Sequence, residues 1–311
     1  MMNGTPVLIT LGGYVNVDKY RYVYFLLLLT VYIFILCSNC IIIYIIWIHR
    51  NLHEPMYIFI AALSFNSLFY STAIYPKMFV DVLSHRQSIS HSVCLFQSFL
   101  FYTFGGSDFL LLSAMAYDRY VSICKPMHYA TTMSKTNVSV LLALSWFLPA
   151  CQVVAIAIFR VKKKMCRFVL AGIFCNNSVN SLYCVRSQML DSLGVFIFFN
   201  IVVVPVLYIL FTYTKIIIVV YRRCRRAREK AVETCLPHLA VLFSISCLVV
   251  FDVIVDKMEA EIPKRVRLFM MLQVVVYSPL FNPIIYGVKM KEIRIHIMQL
   301  LRHLVKKKEF R

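Results

Sequence analysis

The stretch "YVYFLLLLTVYIFILCSNCIIIYIIWI", Tyr22 to Ile48, runs for 27 residues without a charged side chain. A helix of that length rises roughly 40 Å, more than the ~30 Å hydrocarbon core of a bilayer. Its β-branched and aromatic residues would favour strands in water. In lipid an open strand leaves backbone N–H and C=O groups unpaired, so an uninterrupted run of this length is helix. A barrel needs many segments of about ten alternating residues, and "FLLLLTVYIFIL" does not alternate.

Six further apolar runs follow, at about 56–83, 91–123, 137–159, 192–221, 235–256 and 265–287. The expected fold is therefore an all-α membrane protein, a bundle of seven transmembrane helices. Composition agrees. The chain is 60% hydrophobic and only 15% charged, with 8 Gly in 311 residues and a mean hydropathy of +0.75. A soluble domain is nearer a quarter charged, so a large soluble fold is excluded on polar surface alone. No internal repeat or long linker divides the chain. It reads as one domain over 1–311, with an N-terminal segment 1–21, the bundle 22–287 and a tail 288–311.

The net charge of +19 would suggest nucleic acid in a soluble protein. Here the cations sit between spans, where Lys and Arg mark the cytoplasmic side. The fifth-to-sixth connection carries Arg222, Arg223, Arg225, Arg226, Arg228 and Lys230, and the tail ends "LRHLVKKKEFR". Seven spans put both clusters on one side. That side is expected inside, facing anionic lipid, with the N-terminus outside and no nucleic acid partner. "RVKKKMCR", Arg160 to Arg167, falls outside on this reading and breaks the rule. The N-terminal residues lack a basic start and a long apolar run, so no cleavable signal peptide is read and the first span is expected to act as the targeting signal.

Asn3-Gly4-Thr5 and Asn176-Asn177-Ser178 are sequons on the outer side, expected to be glycosylated at Asn3 and Asn176. Asn137-Val138-Ser139 falls inside and is expected unused. In "KMKEIRIHIMQLLRHLVKKK", apolar residues at Ile293, Ile295, Ile297, Leu300, Leu301 and Leu304 have partly helical spacing, with basic residues between. This predicts a short amphipathic helix on the inner leaflet.

Of 11 cysteines, Cys94, Cys166, Cys175 and Cys184 lie on the oxidising side. Four cysteines allow three pairings. A zinc site is the rival, but no C-x2-C knuckle is present. Cys37, Cys40, Cys151 and Cys247 read as packers, and Cys124, Cys224 and Cys235 as reduced thiols near the cytoplasm.

Four phrases carry more than composition: "LHEPMY" after the first span, "MAYDRYVSICKP" ending the third, "KAVETCLPHL" opening the sixth and "NPIIY" ending the seventh. With seven spans they resemble the olfactory receptor family of rhodopsin-like (class A) G protein-coupled receptors, over about Asn39 to Arg294. "FNSLFYSTAIYPK" and "GIFCNN" look most like the teleost branch. The resemblance implies an odorant receptor at the plasma membrane of olfactory sensory neurons. It binds a small water-borne odorant and activates a heterotrimeric G protein of the stimulatory olfactory type, raising cyclic AMP. It implies no enzyme activity and the disulfides Cys94–Cys175 and Cys166–Cys184. It also places Asn39 at the first-helix Asn, Trp146 at the fourth-helix Trp, and Pro205 at the fifth-helix Pro.

The same resemblance implies an activation switch of Asp118, Arg119 and Tyr120 with Tyr213, His238, Asn282, Pro283 and Tyr286. A charged pair at the end of an apolar helix is costly unless it serves a function. Asp118 is expected to hold Arg119 at rest and release it on activation, with Tyr213 and Tyr286 moving inward. The Pro283 ring removes one helix hydrogen bond and suits a moving helix. His238 is expected to be structural and to border the G protein cavity. Two residues depart from the family: Ser67 falls where an Asp is usual in the second helix, with Asn66 beside it, and Ser246 falls where an aromatic is usual in the sixth.

Asp108 lies eleven residues before Arg119, about three turns deeper. Either it binds sodium with Asn39, Ser67 and Asn282, or it carries a proton. No other cofactor is expected. The resemblance implies a pocket between the third, fifth, sixth and seventh helices. Its candidate liners are Phe101, Tyr102, Gly105 and Gly106 on the third helix, and Phe251, Asp252, Val253 and Lys257 on the sixth. The glycine pair serves either ligand approach or close helix packing. Lys257 suits an acidic odorant and Asp252 an amine; each reads equally as a solvated helix end. A transporter would need ionisable residues along a path and paired broken helices, and none is evident. An enzyme would need a motif such as G-x-S-x-G or H-E-x-x-H, which is absent.

Overall fold

The computed structural model describes residues 7–161, 163–185, 187–221, 239–251 and 262–309. Six helices are long and apolar enough to cross a membrane: α1 Val17–Ile48, α2 Pro55–Leu83, α3 His91–Cys124, α4 Lys135–Val161, α5 Gln188–Tyr221 and, after a shorter apolar helix α6 at Leu239–Phe251, α7 Lys264–Lys289. The sixth expected span contains α6. Helix α8, Lys291–Glu309, follows α7 after one residue. The first helix begins at Val17 rather than at residue 22, so the N-terminal segment is shorter than the hydropathy reading gave.

Burial explains which helix carries which composition. Helices α2 and α3 are the most buried, whereas α1, α4 and α5 turn most of their surface outward. An outward helix must be apolar all round in lipid. A central helix is free to carry polar groups that neighbours satisfy, and Thr103, Ser107, Asp108 and Asp118 are all buried on α3. Helix ends follow local chemistry. Pro55 occupies the first turn of α2, where its missing N–H costs nothing. The Ser90 side chain caps α3 by accepting from the Val93 N–H.

At one end of the bundle a small three-stranded sheet forms, which the hydropathy pattern did not predict. Strand β1, Leu8–Leu11, lies between β2, Ser88–Ser90, antiparallel, and β3, Val169–Leu170, parallel. The sheet joins the N-terminal segment to the start of α3 and to the connection after α4. All three therefore share one end, as seven alternating spans require. Ile9 and Leu11 point inward and pack with Ile89, Leu170 and Val179. Where the chain leaves the sheet, Gly13 crosses Gly172 so closely that a Cβ on Gly13 would stand 2.5 Å from the Gly172 carbonyl carbon. Only glycine fits that crossing.

Two disulfides close this end. Cys94 joins Cys175 with Cα atoms 5.4 Å apart, and Cys166 joins Cys184 at 4.8 Å. Both separations suit unforced bridges. Gln97 fixes the first bridge, accepting from the Cys175 N–H at 3.1 Å and donating to the Ala73 carbonyl on α2. At the other end α8 folds back under α1. His49 and His296 meet with their rings tilted by 33° and centroids 3.7 Å apart, and Gly287 leaves room for Ile297.

Candidate functional site

Three groups of side chains follow the axis of α3 from the sheet end to the far end. The first surrounds Phe101, whose ring lies 5.0 Å from Phe174, 5.5 Å from Tyr70 and 4.9 Å from Tyr102. Phe174 belongs to the connection between α4 and α5 and is itself buried. Its neighbour Gly172 packs on Met271 of α7. The connection thus covers this end of the bundle with Phe174 beneath it. The two glycines separate here. A Cβ on Gly105 would meet only Tyr70 at 3.9 Å. One on Gly106 would stand 2.8 Å from Ile201 and 3.1 Å from Pro149. Gly106 is therefore a packing residue between α4 and α5. Of the four α3 candidates, Phe101 and Tyr102 are in ring contact, and Tyr70, which meets Phe101, also faces Gly105. Phe251 is half-buried at the end of α6. Asp252, Val253 and Lys257 lie outside the described residues, as do His238 and Asn3.

Asn176, expected to carry a glycan, is buried at 2% exposure. Its Oδ1 accepts from the Ser178 N–H and hydroxyl, capping the short turn Asn177–Leu182. A side chain turned inward in this way does not present an acceptor amide. Arg160, counted as a loop charge, is also buried. Its guanidinium donates to Asn180, Asn177 and Ser98. It braces the connection against α3, so one of the cations that opposed the charge rule is a structural group.

The second group centres on Asp108. Its Oδ1 accepts from Asn66 Nδ2 at 2.8 Å and its Oδ2 from the Ser278 hydroxyl at 2.6 Å. Asn66 also accepts from the Trp146 indole N–H at 3.0 Å and donates to the Phe104 carbonyl. One amide therefore ties α2 to α3 and α4. Asn282 donates to Ser278, and Asn39 donates to the Pro279 carbonyl at 2.8 Å. The expected set changes at one place. Ser67 donates to Leu63 within its own helix and does not join Asp108. Adjacent helical residues point about 100° apart, and it is Asn66 that faces α3. For a cation, Asp108 supplies the charge, and the Oδ1 atoms of Asn39 and Asn282 are buried with no hydrogen-bond partner among the described residues. Oxygen donors of this kind fit a hard ion.

The third group is at the far end of α3. Asp118 is fully buried and accepts from Arg119 Nε at 2.9 Å and Nη2 at 2.5 Å. Its other oxygen accepts from the Tyr129 hydroxyl at 2.8 Å. Tyr129 stands in a short helix after α3, Tyr129–Thr132. Burial, then the neighbouring Asp118 carboxylate, raises the Tyr129 hydroxyl above its ordinary range, so it remains a donor. The sequence reading missed Tyr129 because its partner lies eleven residues earlier, across a chain reversal. Lys125 sits over the Tyr120 ring, 5.9 Å from its centroid. Tyr213 and Tyr286 are buried in the same core, and Pro283 lies within an unbroken α7. Above it, the Tyr277 hydroxyl reaches Ser244 of α6 at 2.7 Å.

A family model described as olfactory receptor matches residues 28–304. Among curated proteins, Homo sapiens olfactory receptor 6N1 is 32% identical over 94% of this chain and 94% of its own length. Homo sapiens olfactory receptor 11A1 is 31% identical over 96% and 95%, and olfactory receptor 1P1 is 29% identical over 94% and 89%.

Proposed function

The chain belongs to the olfactory receptor family of class A G protein-coupled receptors, and from that premise we propose that it couples a small water-borne odorant to the stimulatory olfactory G protein and raises cyclic AMP. It is an odorant receptor and a multi-pass plasma membrane protein, not an enzyme. The sheet end faces outward on the proposed topology, and the site of expression is the olfactory sensory neuron. The residues of "FNSLFYSTAIYPK" and "GIFCNN" support the reading that it is of the teleost branch.

The observation that carries the reading is the Asp118–Arg119–Tyr129 arrangement. A buried carboxylate with two donors holds an arginine at the helix end, and each contact is reversible. A ligand at the Phe101 end biases a two-state bundle, and release of Arg119 opens the inner end to the G protein. Tyr213, Tyr286, Asn282 and Pro283 are the proposed moving parts. Asp108, Asn39 and Asn282 would hold a sodium ion, without Ser67; the ion would supply positive charge to a buried carboxylate.

The test is cyclic AMP in cells expressing the receptor with the olfactory G protein, screened against acids, amines, amino acids and steroid-like odorants. A dose-dependent response is expected, falling at least tenfold in Arg119→Ala at equal surface expression. A response retained in that variant overturns the switch.

A further inference from the structure

The connection between α4 and α5 carries cations where the topology signal disfavours them. From Arg160 to Leu190 the sequence holds Arg160, Lys162, Lys163, Lys164, Arg167 and Arg186 and no Asp or Glu. Positive charge outside works against the rule that orients the spans, so its presence needs another cause. Arg160 is accounted for by the Asn177, Asn180 and Ser98 contacts that bury it. Lys164 and Arg167 are exposed, and Lys163 is part-exposed with its ammonium on the Val185 carbonyl. Their position is fixed, not that of a loose loop. The Cys166–Cys184 bridge, the Met165–Tyr183 pairing and the bond from Cys184 N–H to the Lys164 carbonyl hold the segment in place. A few residues on, the same connection places Phe174 over Phe101.

Of the acids near this end, Asp18 is paired with Arg21 and Asp81 with Lys77, while Asp191 stands in the first turn of α5. In sequence the α6–α7 connection, 252–263, sets Asp252, Asp256, Glu259 and Glu261 against Lys257, a net charge of −3. A small anion approaching the α4–α5 connection meets the exposed cations Lys164 and Arg167 and the part-exposed Lys163. Charge of one sign on a rigid rim concentrates counter-ions there and raises their arrival rate, an effect that salt weakens.

We propose that the α4–α5 connection forms a cationic rim that admits small organic anions, carboxylates, sulfonates or sulfates, in preference to neutral or cationic counterparts. The inference rests on the odorant-receptor reading with the sheet end outside, and it names the ligand class for that site. The rim residues are Lys163, Lys164 and Arg167.

The test uses the full-length receptor in nanodiscs of zwitterionic lipid. Four probes of one chain length, hexanesulfonate, hexanoate, hexanol and hexylamine, are compared by equilibrium dialysis at low and high salt. The expected result is at least threefold greater retention of the two anions than of the alcohol or amine. The gap narrows at high salt and disappears in Lys163→Gln/Lys164→Gln/Arg167→Gln. The charge-keeping variant Lys163→Arg/Lys164→Arg/Arg167→Lys retains it. Equal retention of all four probes, greater retention of the amine, or no retention overturns the proposal. So does retention of heparin without hexanesulfonate, which would assign the rim to a macromolecular polyanion. Cyclic AMP separates the two levels. Signalling to neutral odorants without anion preference removes the rim and leaves the receptor. Anion retention without any G protein response does the reverse.

Discussion

The two ends of α3 are held by different kinds of bond. At the sheet end, Cys94 is covalently joined to Cys175, Gln97 pins that bridge, and β1 threads between two other segments. At the far end, Asp118 holds Arg119 and Tyr129 by hydrogen bonds alone. Covalent closure cannot be undone by a ligand; a charge-assisted hydrogen bond of a few kcal/mol at most can be. One end is closed covalently and the other by contacts that can be broken and remade.

The largest effect that breaks this contrast is expected from Cys94→Ser. That bridge spans 81 residues, so its loss is worth about 4 kcal/mol in the chain-entropy account. Surface expression of a tagged receptor should fall close to background. Cys166→Ser opens a separation of only 18 residues and should fall less, by about 3 kcal/mol. The reverse order, read by flow cytometry, would show that the second bridge is the principal closure.

Between the ends, Asp108→Ala removes the acceptor of Asn66 and Ser278 and strands two buried donors, at about 2–3 kcal/mol. Asp108→Asn keeps the shape and should melt between the two, as thermal unfolding of the purified receptor can measure. If both variants melt with the wild type, α2, α3 and α7 are not joined there. Gly106→Ala forces a Cβ onto Ile201 and Pro149 and should cost about 1–3 kcal/mol. Gly105→Ala should be nearly neutral in the same melt. Tyr129→Phe deletes one hydrogen bond of about 1 kcal/mol and shifts a two-state equilibrium about fivefold. Basal cyclic AMP should rise by that factor with surface expression unchanged. A fall in basal signal instead would mean that Tyr129 supports the active state.

Length, charge and four short phrases made the spans and the Asp118–Arg119 pair legible, because both depend on what lipid forbids. The sheet was not legible. Its strands are four, three and two residues long, and β1 finds its partners about 80 and 160 residues away. No local pattern records such a pairing. Asp108 was legible as a polar anomaly, but its partner was not. Asn66 and Ser67 are neighbours in sequence and face different directions, so a family register supplies the position without the facing. Arg160 misled the charge count for a related reason: composition counts a cation as solvated, and only packing shows that it is enclosed.

Helix α5 contains one wide turn, Phe199 to Val203, with π-type spacing. Such a turn holds one residue more than an α-helix needs. Everything after it is therefore rotated by about 100° relative to an uninterrupted helix. Pro205, Ile209, Tyr213 and Ile216 lie beyond that turn, and all four face inward. The fifth helix behaves as a shaft with a spare tooth. Deleting one residue between Phe199 and Val203 would let that turn close as an ordinary α-helix with Pro205, Ile209, Tyr213 and Ile216 still facing inward, whereas tightening the turn with all its residues kept would point each of them somewhere else.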